Sequence, residues 1–83
     1  MINADDIPAH TKEAIIRYVK YGLHPGGFLE AVICNDLKGA VTRADAWNQE
    51  KLVNIVAYFY NFCPSGCWGS RENMEAWMEQ KTE

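Results

Sequence analysis

Leu52-Val53-Asn54-Ile55-Val56-Ala57-Tyr58-Phe59-Tyr60-Asn61-Phe62-Cys63-Pro64 is the stretch on which the fold turns. Leu52, Ile55, Val56, Phe59 and Cys63 recur at three- and four-residue intervals, the spacing that gathers side chains on one face of an α-helix. Sustained apolar-polar alternation, which a half-buried strand would need, is missing from 53–60. The stretch therefore reads as a helix through about Phe62, and Pro64, which has no backbone N–H to give, stops it.

Working upstream, Thr42 followed three residues later by Asp45 approximates a capping box, and Asp45 is itself a good N-cap, so this third helix starts there. A second helix is expected over about Phe28 to Val41, with Leu29, Val32, Ile33, Leu37, Ala40 and Val41 along its core side. Gly22-Leu23-His24-Pro25-Gly26-Gly27 cannot continue a helix and forms a corner. Before it, a first helix runs from about Pro8 or Thr11 to Tyr21. Thr11 is suited to accept from a free N–H, Glu13 suits the helix start, Gly22 suits the end, and Ile15, Ile16 and Val19 form the stripe. Downstream, Pro64-Ser65-Gly66-Cys67-Trp68-Gly69 is a turn, and Ser70 caps a last helix carrying Glu72 in its first turn and Met74, Trp77 and Met78 inward.

The expectation is an all-α, compact single domain, 1–83, of about four helices joined by short Gly/Pro-containing corners. Residues 1–7 form a loosely ordered N-terminal segment in this reading, and 80–83 a frayed C-terminus. Eighty-three residues and 9.4 kDa suffice for one modest core, burying about 63% of the unfolded surface. The 48% hydrophobic residues are dispersed among 23% charged ones, which argues against disorder and against a membrane span. Met1 to Asp6 supply neither the basic start nor the apolar stretch of a secretory signal, so the expected location is the cytoplasm.

The net charge of −3 disfavours strong nucleic-acid binding, which needs a basic face. The acids are interrupted throughout by Lys and Arg, which also argues against a nucleic-acid mimic. Three cysteines, an odd number without a signal, point to reduced thiols.

Gly26-Gly27-Phe28-Leu29, Asn35-Asp36-Leu37, Arg43-Ala44-Asp45, Tyr60-Asn61 and Cys67-Trp68-Gly69-Ser70 together resemble a family of small proteins carried by bacteriophages and prophages. The likeness spans about Pro8 to Trp77. It transfers no catalytic residue, and what it implies is a setting: a phage accessory product acting in the bacterial host cytoplasm.

Cys63 and Cys67, with Cys34, His10 and His24, invite a zinc reading, but structural zinc needs a second ligand pair and the histidines lie far upstream. No metal and no cofactor are expected. Cys67, in a loop ahead of the last helix, is the one cysteine whose position suggests exposure, yet nothing local pairs it with a base and an oxyanion site, so no catalytic residue is expected. His24 beside Pro25 reads as a polar corner residue.

Asn35, Asp36, Arg43, Asp45 and Asn48 bracket the corner between the second and third helices. In the structural reading Asp36 and Arg43 form a bridge while Asp45 caps a helix. In the functional reading Arg43 contacts a carboxylate or phosphate and Asn48 adds specificity. Phe28, Phe59 and Trp77 fit the apolar stripes, whereas Tyr18, Tyr21, Trp47, Tyr58, Tyr60 and Trp68 exceed what the stripes absorb. Trp47 lies off the Leu52 stripe, and Trp68 either packs under the last corner or anchors an interface.

The partner-binding residues expected are therefore Arg43, Asp45, Trp47, Asn48 and Trp68. The leading reading is a non-enzymatic protein that binds and modulates a bacterial host protein, as an anti-defence inhibitor would. Two others compete with it: a small-ligand or nucleotide sequestering protein, its pocket built by a homo-oligomer from aromatics and Arg43, Arg17 or Lys20, and a thiol enzyme or metal protein centred on Cys67.

Overall fold

The computed structural model describes residues 3–82, and among them every regular element is helical. Six α-helices follow in order: α1 Ala9–Tyr21, α2 Gly27–Ile33, α3 Leu37–Arg43, α4 Ala46–Glu50, α5 Leu52–Phe62 and α6 Arg71–Lys81. A 3-10 turn, Ser65–Cys67, sits between the last two. The all-α class is as expected, but the count of about four is corrected to six, because two of the expected helices are each broken once.

The break inside the expected 28–41 helix has a local cause. Asn35 takes the left-handed conformation at φ 62, its N–H bonding back to the Val32 carbonyl and that of Asp36 to Ala31. Asp36 then caps α3 by accepting from the Gly39 N–H at 3.1 Å. Asn at a helix end and Asp at the next start are the residues such a junction favours. The break redirects α3, so the shared stripe does not persist. Leu29, Val32, Ile33 and Ala40 are buried, while Leu37, 73% exposed, and Val41 face outward. What packs α3 against α2 is small: a Cβ added at Gly39 would lie 3.3 Å from that of Ala31.

The second break is a single residue, Lys51, between α4 and α5. Lys51 also ties the N-terminal segment down, reaching Asp6 at 2.7 Å, while Lys12 reaches Asp5 at 2.7 Å and the Asn54 amide donates to the Asn3 carbonyl. At the other end α6 continues through Lys81. Met1, Ile2 and Glu83, which belong to the expected loose ends, lie outside the described residues.

Of four residues expected at helix starts, two cap and two do not. Asp45 caps α4 through the Asn48 N–H and Ser70 caps α6 through that of Asn73, as the sequence suggests. Thr42 takes no part in a capping box and bonds back to the Lys38 carbonyl. Thr11 is not a cap either: it lies within α1, buried.

Ile15, Tyr18, Ile33, Ile55, Phe59 and Met74 form the centre of one core drawn from α1, α2, α5 and α6. The packing is compact, with a radius of gyration of 11.7 Å against about 12 Å expected for a folded chain of this length. Val56, expected inside, is partly exposed, at the edge of the α5 stripe. Tyr18, reckoned among the surplus aromatics, is fully buried, and its hydroxyl donates to the Cys67 carbonyl at 2.7 Å. Beside it the Gly69 N–H, at φ 107, donates to the Ile33 carbonyl at 2.7 Å. These two bonds press the 63–70 turn onto the core. No described helix is long and apolar enough to cross a membrane.

Candidate functional site

The corner between α3 and α4 is built by extended backbone at Ala44 and Asp45. Gln49 fastens it, its amide donating to the carbonyls of Val41 and Ala44 at 3.2 and 3.3 Å. Consecutive residues of α4 lie about 100° apart around the helix, so neighbours meet different surroundings. Asn48 points inward and accepts from the Thr11 hydroxyl of α1 at 2.7 Å, both side chains being buried. Trp47 points outward and stays 56% exposed.

Trp47 is not loose, because the His10 imidazole meets its ring edge-on with centroids 5.8 Å apart. His10 also lies 3.9 Å from the second carboxylate oxygen of Asp45, close enough for attraction when the imidazole is protonated. Arg43, in the last turn of α3, extends over the first glycine-rich corner, one guanidinium nitrogen 3.5 Å from the Gly27 carbonyl. That contact is long for a hydrogen bond and leaves the other guanidinium donors available.

These residues surround a cleft of ≈ 280 Å³ between α1, the Pro25–Leu29 corner and the α3–α4 corner. Its rim carries the Arg43 cation and the Asp45 carboxylate, its floor is the Thr11–Asn48 pair, and Phe28 and Leu29 form an apolar wall. Chemically this is a recognition surface: a bidentate cation, an acceptor oxygen and an adjoining aromatic ring, all held by helices.

Four of the five residues expected to bind a partner are thus neighbours here, with unequal access. Arg43, Asp45 and Trp47 are exposed. Asn48 is buried and spends its carbonyl on Thr11 and its backbone N–H on Asp45, so its main work is joining α4 to α1. Trp68 is elsewhere: half-buried, it stacks on Phe59 with centroids 5.5 Å apart and lines a different groove. The expected Asp36–Arg43 bridge does not form, since Asp36 caps α3 and Arg43 reaches for Gly27.

Cys67, the cysteine whose loop position suggested exposure, is fully buried, because the Tyr18 and Gly69 bonds pull its turn inward. It interacts with Cys63, and the interaction holds the Cys67 thiol below its ordinary range and, with burial, pushes the Cys63 thiol well above its own. The lowered thiol is the one no substrate can reach, being fully buried. Burial pushes Cys34 up as well. Neither raised thiol suits a nucleophile at neutral pH. Among the described residues no three His, Cys, Asp or Glu side chains gather as a metal cage would require.

His24 is a corner residue, its Nδ1 accepting from the Gly26 N–H and its Nε2 lying 3.2 Å from Glu30. That hydrogen bond, helped by Arg71, holds the Glu30 carboxyl below its ordinary value. His10 was missed as a site residue in the sequence. It precedes Trp47 by thirty-seven positions, and only the packing of α1 on α4 brings the rings together. No family model, curated protein or solved structure matches the chain.

Proposed function

We propose that the chain is a small non-enzymatic phage protein that binds a bacterial host protein through the Arg43–Asp45–Trp47 corner and so modulates it, as an anti-defence inhibitor acting in the host cytoplasm would. The observation that carries this reading is Trp47: a large aromatic ring, 56% exposed, steadied by His10 and set on the same corner as the exposed Asp45 carboxylate. An aromatic held in place loses little freedom on contact, and Trp and Arg are the commonest anchors of protein interfaces. The phage setting and the anti-defence role rest on the motif resemblance alone.

Immobilised protein should retain a specific partner from bacterial lysate. Trp47→Ala should weaken that partner's binding by about 2 kcal/mol or more, roughly thirtyfold, with thermal melting unchanged. Equal capture by the variant would remove the corner as the binding surface. A second reading, sequestration of a small ligand, is favoured by the cleft volume of ≈ 280 Å³, close to the small end of ligand pockets at about 300 Å³. Calorimetric titration with nucleotides separates the two, since only the second predicts heat from a small molecule that Arg43→Ala abolishes.

A further inference from the structure

From Leu52 to Ser70 the chain carries nineteen consecutive residues without an Asp, Glu, Lys or Arg, where the chain-wide 23% would place about four. The run includes all of α5, and α5 is not enclosed. Its Ile55 and Phe59 face the core, while Val53 and Tyr60, at 59% and 71% exposed, and Val56 stand outward. Successive positions turn by 100°, so 53, 56 and 60 fall within about 60° of one another and form a single outward stripe. Val56 also lines a shallow groove of ≈ 80 Å³ with Leu37, Ala40, Leu52 and Trp68, which makes the stripe continuous with the exposed Leu37.

We infer that this α3–α5 face is the contact between two copies of the chain, related by a two-fold axis. In a two-fold contact the same patch meets itself, so any charge near the axis faces its own image. For a chain of net charge −3 a face without charge meets its own image with no repulsion to overcome, and α5 is such a surface. The one charged residue lining the groove, Asp36, has its carboxylate engaged in the α3 cap. The same lack of charge gives a partner of opposite charge nothing to recognise. A depletion of charge with a surplus of aromatics also matches the composition of interface cores.

Size agrees. Leu37, Val41, Val53, Val56 and Tyr60, at the exposures they show, present on the order of 500 Å², near the top of what a monomer's largest apolar patch reaches. A stable contact takes about 800 Å² per partner, roughly a seventh of the 5173 Å² surface, and the polar neighbours Asn35 and Asn61 make up the rim. The contact shares no lining residue with the Arg43–Asp45 cleft, so a pair would present two such clefts at once.

Sedimentation velocity of the full chain from about 1 to 500 µM tests this. A mass of two copies is expected, with association weakened at least tenfold by Val53→Glu and by Tyr60→Glu, each checked for unchanged helicity by circular dichroism. Mixing Val53→Glu with Val53→Lys should recover the dimer that neither forms alone. Trp47→Ala should leave the mass at two, which keeps this result separate from the partner-binding corner. A monomer throughout the range overturns the inference, as does an assembly of three or more copies or a dimer indifferent to both substitutions.

Discussion

Tyr18 and Cys67, forty-nine residues apart, meet where the buried tyrosine hydroxyl donates to the cysteine carbonyl at 2.7 Å. The ring is fully enclosed, and burial pushes its ionisation well above the ordinary tyrosine value, so the hydroxyl remains a donor at physiological pH. Tyr18→Phe keeps the shape of the ring and strands the carbonyl. A loss of about 1–3 kcal/mol is expected, read as a fall in melting temperature of about 4–8 °C per kcal/mol for a domain of this size. An unshifted melting curve would mean that water replaces the hydroxyl.

Phe59 is the aromatic centre of α5, with Trp68 stacked on it. Truncation to Ala should cost about 3–5 kcal/mol, a large share of the total stability of a small domain at about 5–15 kcal/mol. Chemical denaturation would show a much earlier midpoint, or a protein already unfolded in buffer. Trp68 fluorescence should shift to the red in either event.

The junction between α2 and α3 permits a double-mutant cycle. Asp36→Ala removes the cap of α3 and should cost about 1 kcal/mol. Gly39→Ala would ordinarily help a helix by about 1 kcal/mol, yet here the new Cβ collides with the Asp36 carboxylate and crowds Ala31. The single change should therefore destabilise, and it should cost less once Asp36 is already Ala. Strict additivity in urea unfolding would show that the two side chains do not compete for the same space.

Glu30 links stability to pH. Hydrogen bonding from His24, with Arg71 nearby, lowers its carboxyl in the folded state, so the folded protein binds that proton less readily than the unfolded chain does. The stabilisation is fully present above the unfolded carboxyl value of about 4.3 and is lost as pH falls through the lowered folded value. Glu30→Gln should flatten that part of the acid stability profile. A profile superimposable on the unsubstituted one would dissolve the link.

What was legible in the sequence was what local chemistry determines. The all-helical class followed from the 52–63 spacing, and the caps at Asp45 and Ser70 from side chains that bond within their own turn. The break at Asn35 was also local in cause, but the stripe from Leu29 to Val41 bridged it, because a three-four spacing can survive a change of helix direction by coincidence. Tyr18 was misjudged for a different reason: its burial depends on a carbonyl in the 63–70 turn, and nothing near position 18 announces it. At the candidate site, Arg43, Asp45 and Trp47 could be placed together from the sequence because they crowd one corner of the chain, whereas His10 needed the packing of α1 on α4. Asn48 was singled out for the same reason, while its inward direction, which depends on Thr11, could not be read there.

The Trp77 indole N–H donates to the carbonyl of Val19 at 3.2 Å, and with the bonds from Tyr18 and Gly69 it places the seams of the core between early and late parts of the chain. During synthesis α1 and α2 emerge first with no partner for their inner faces, and they must wait, exposed, until the 63–70 turn and α6 have cleared the ribosome. The core of this small protein should thus close only after translation of α6, and a nascent chain stalled before Trp77 should expose apolar surface to chaperones and proteases.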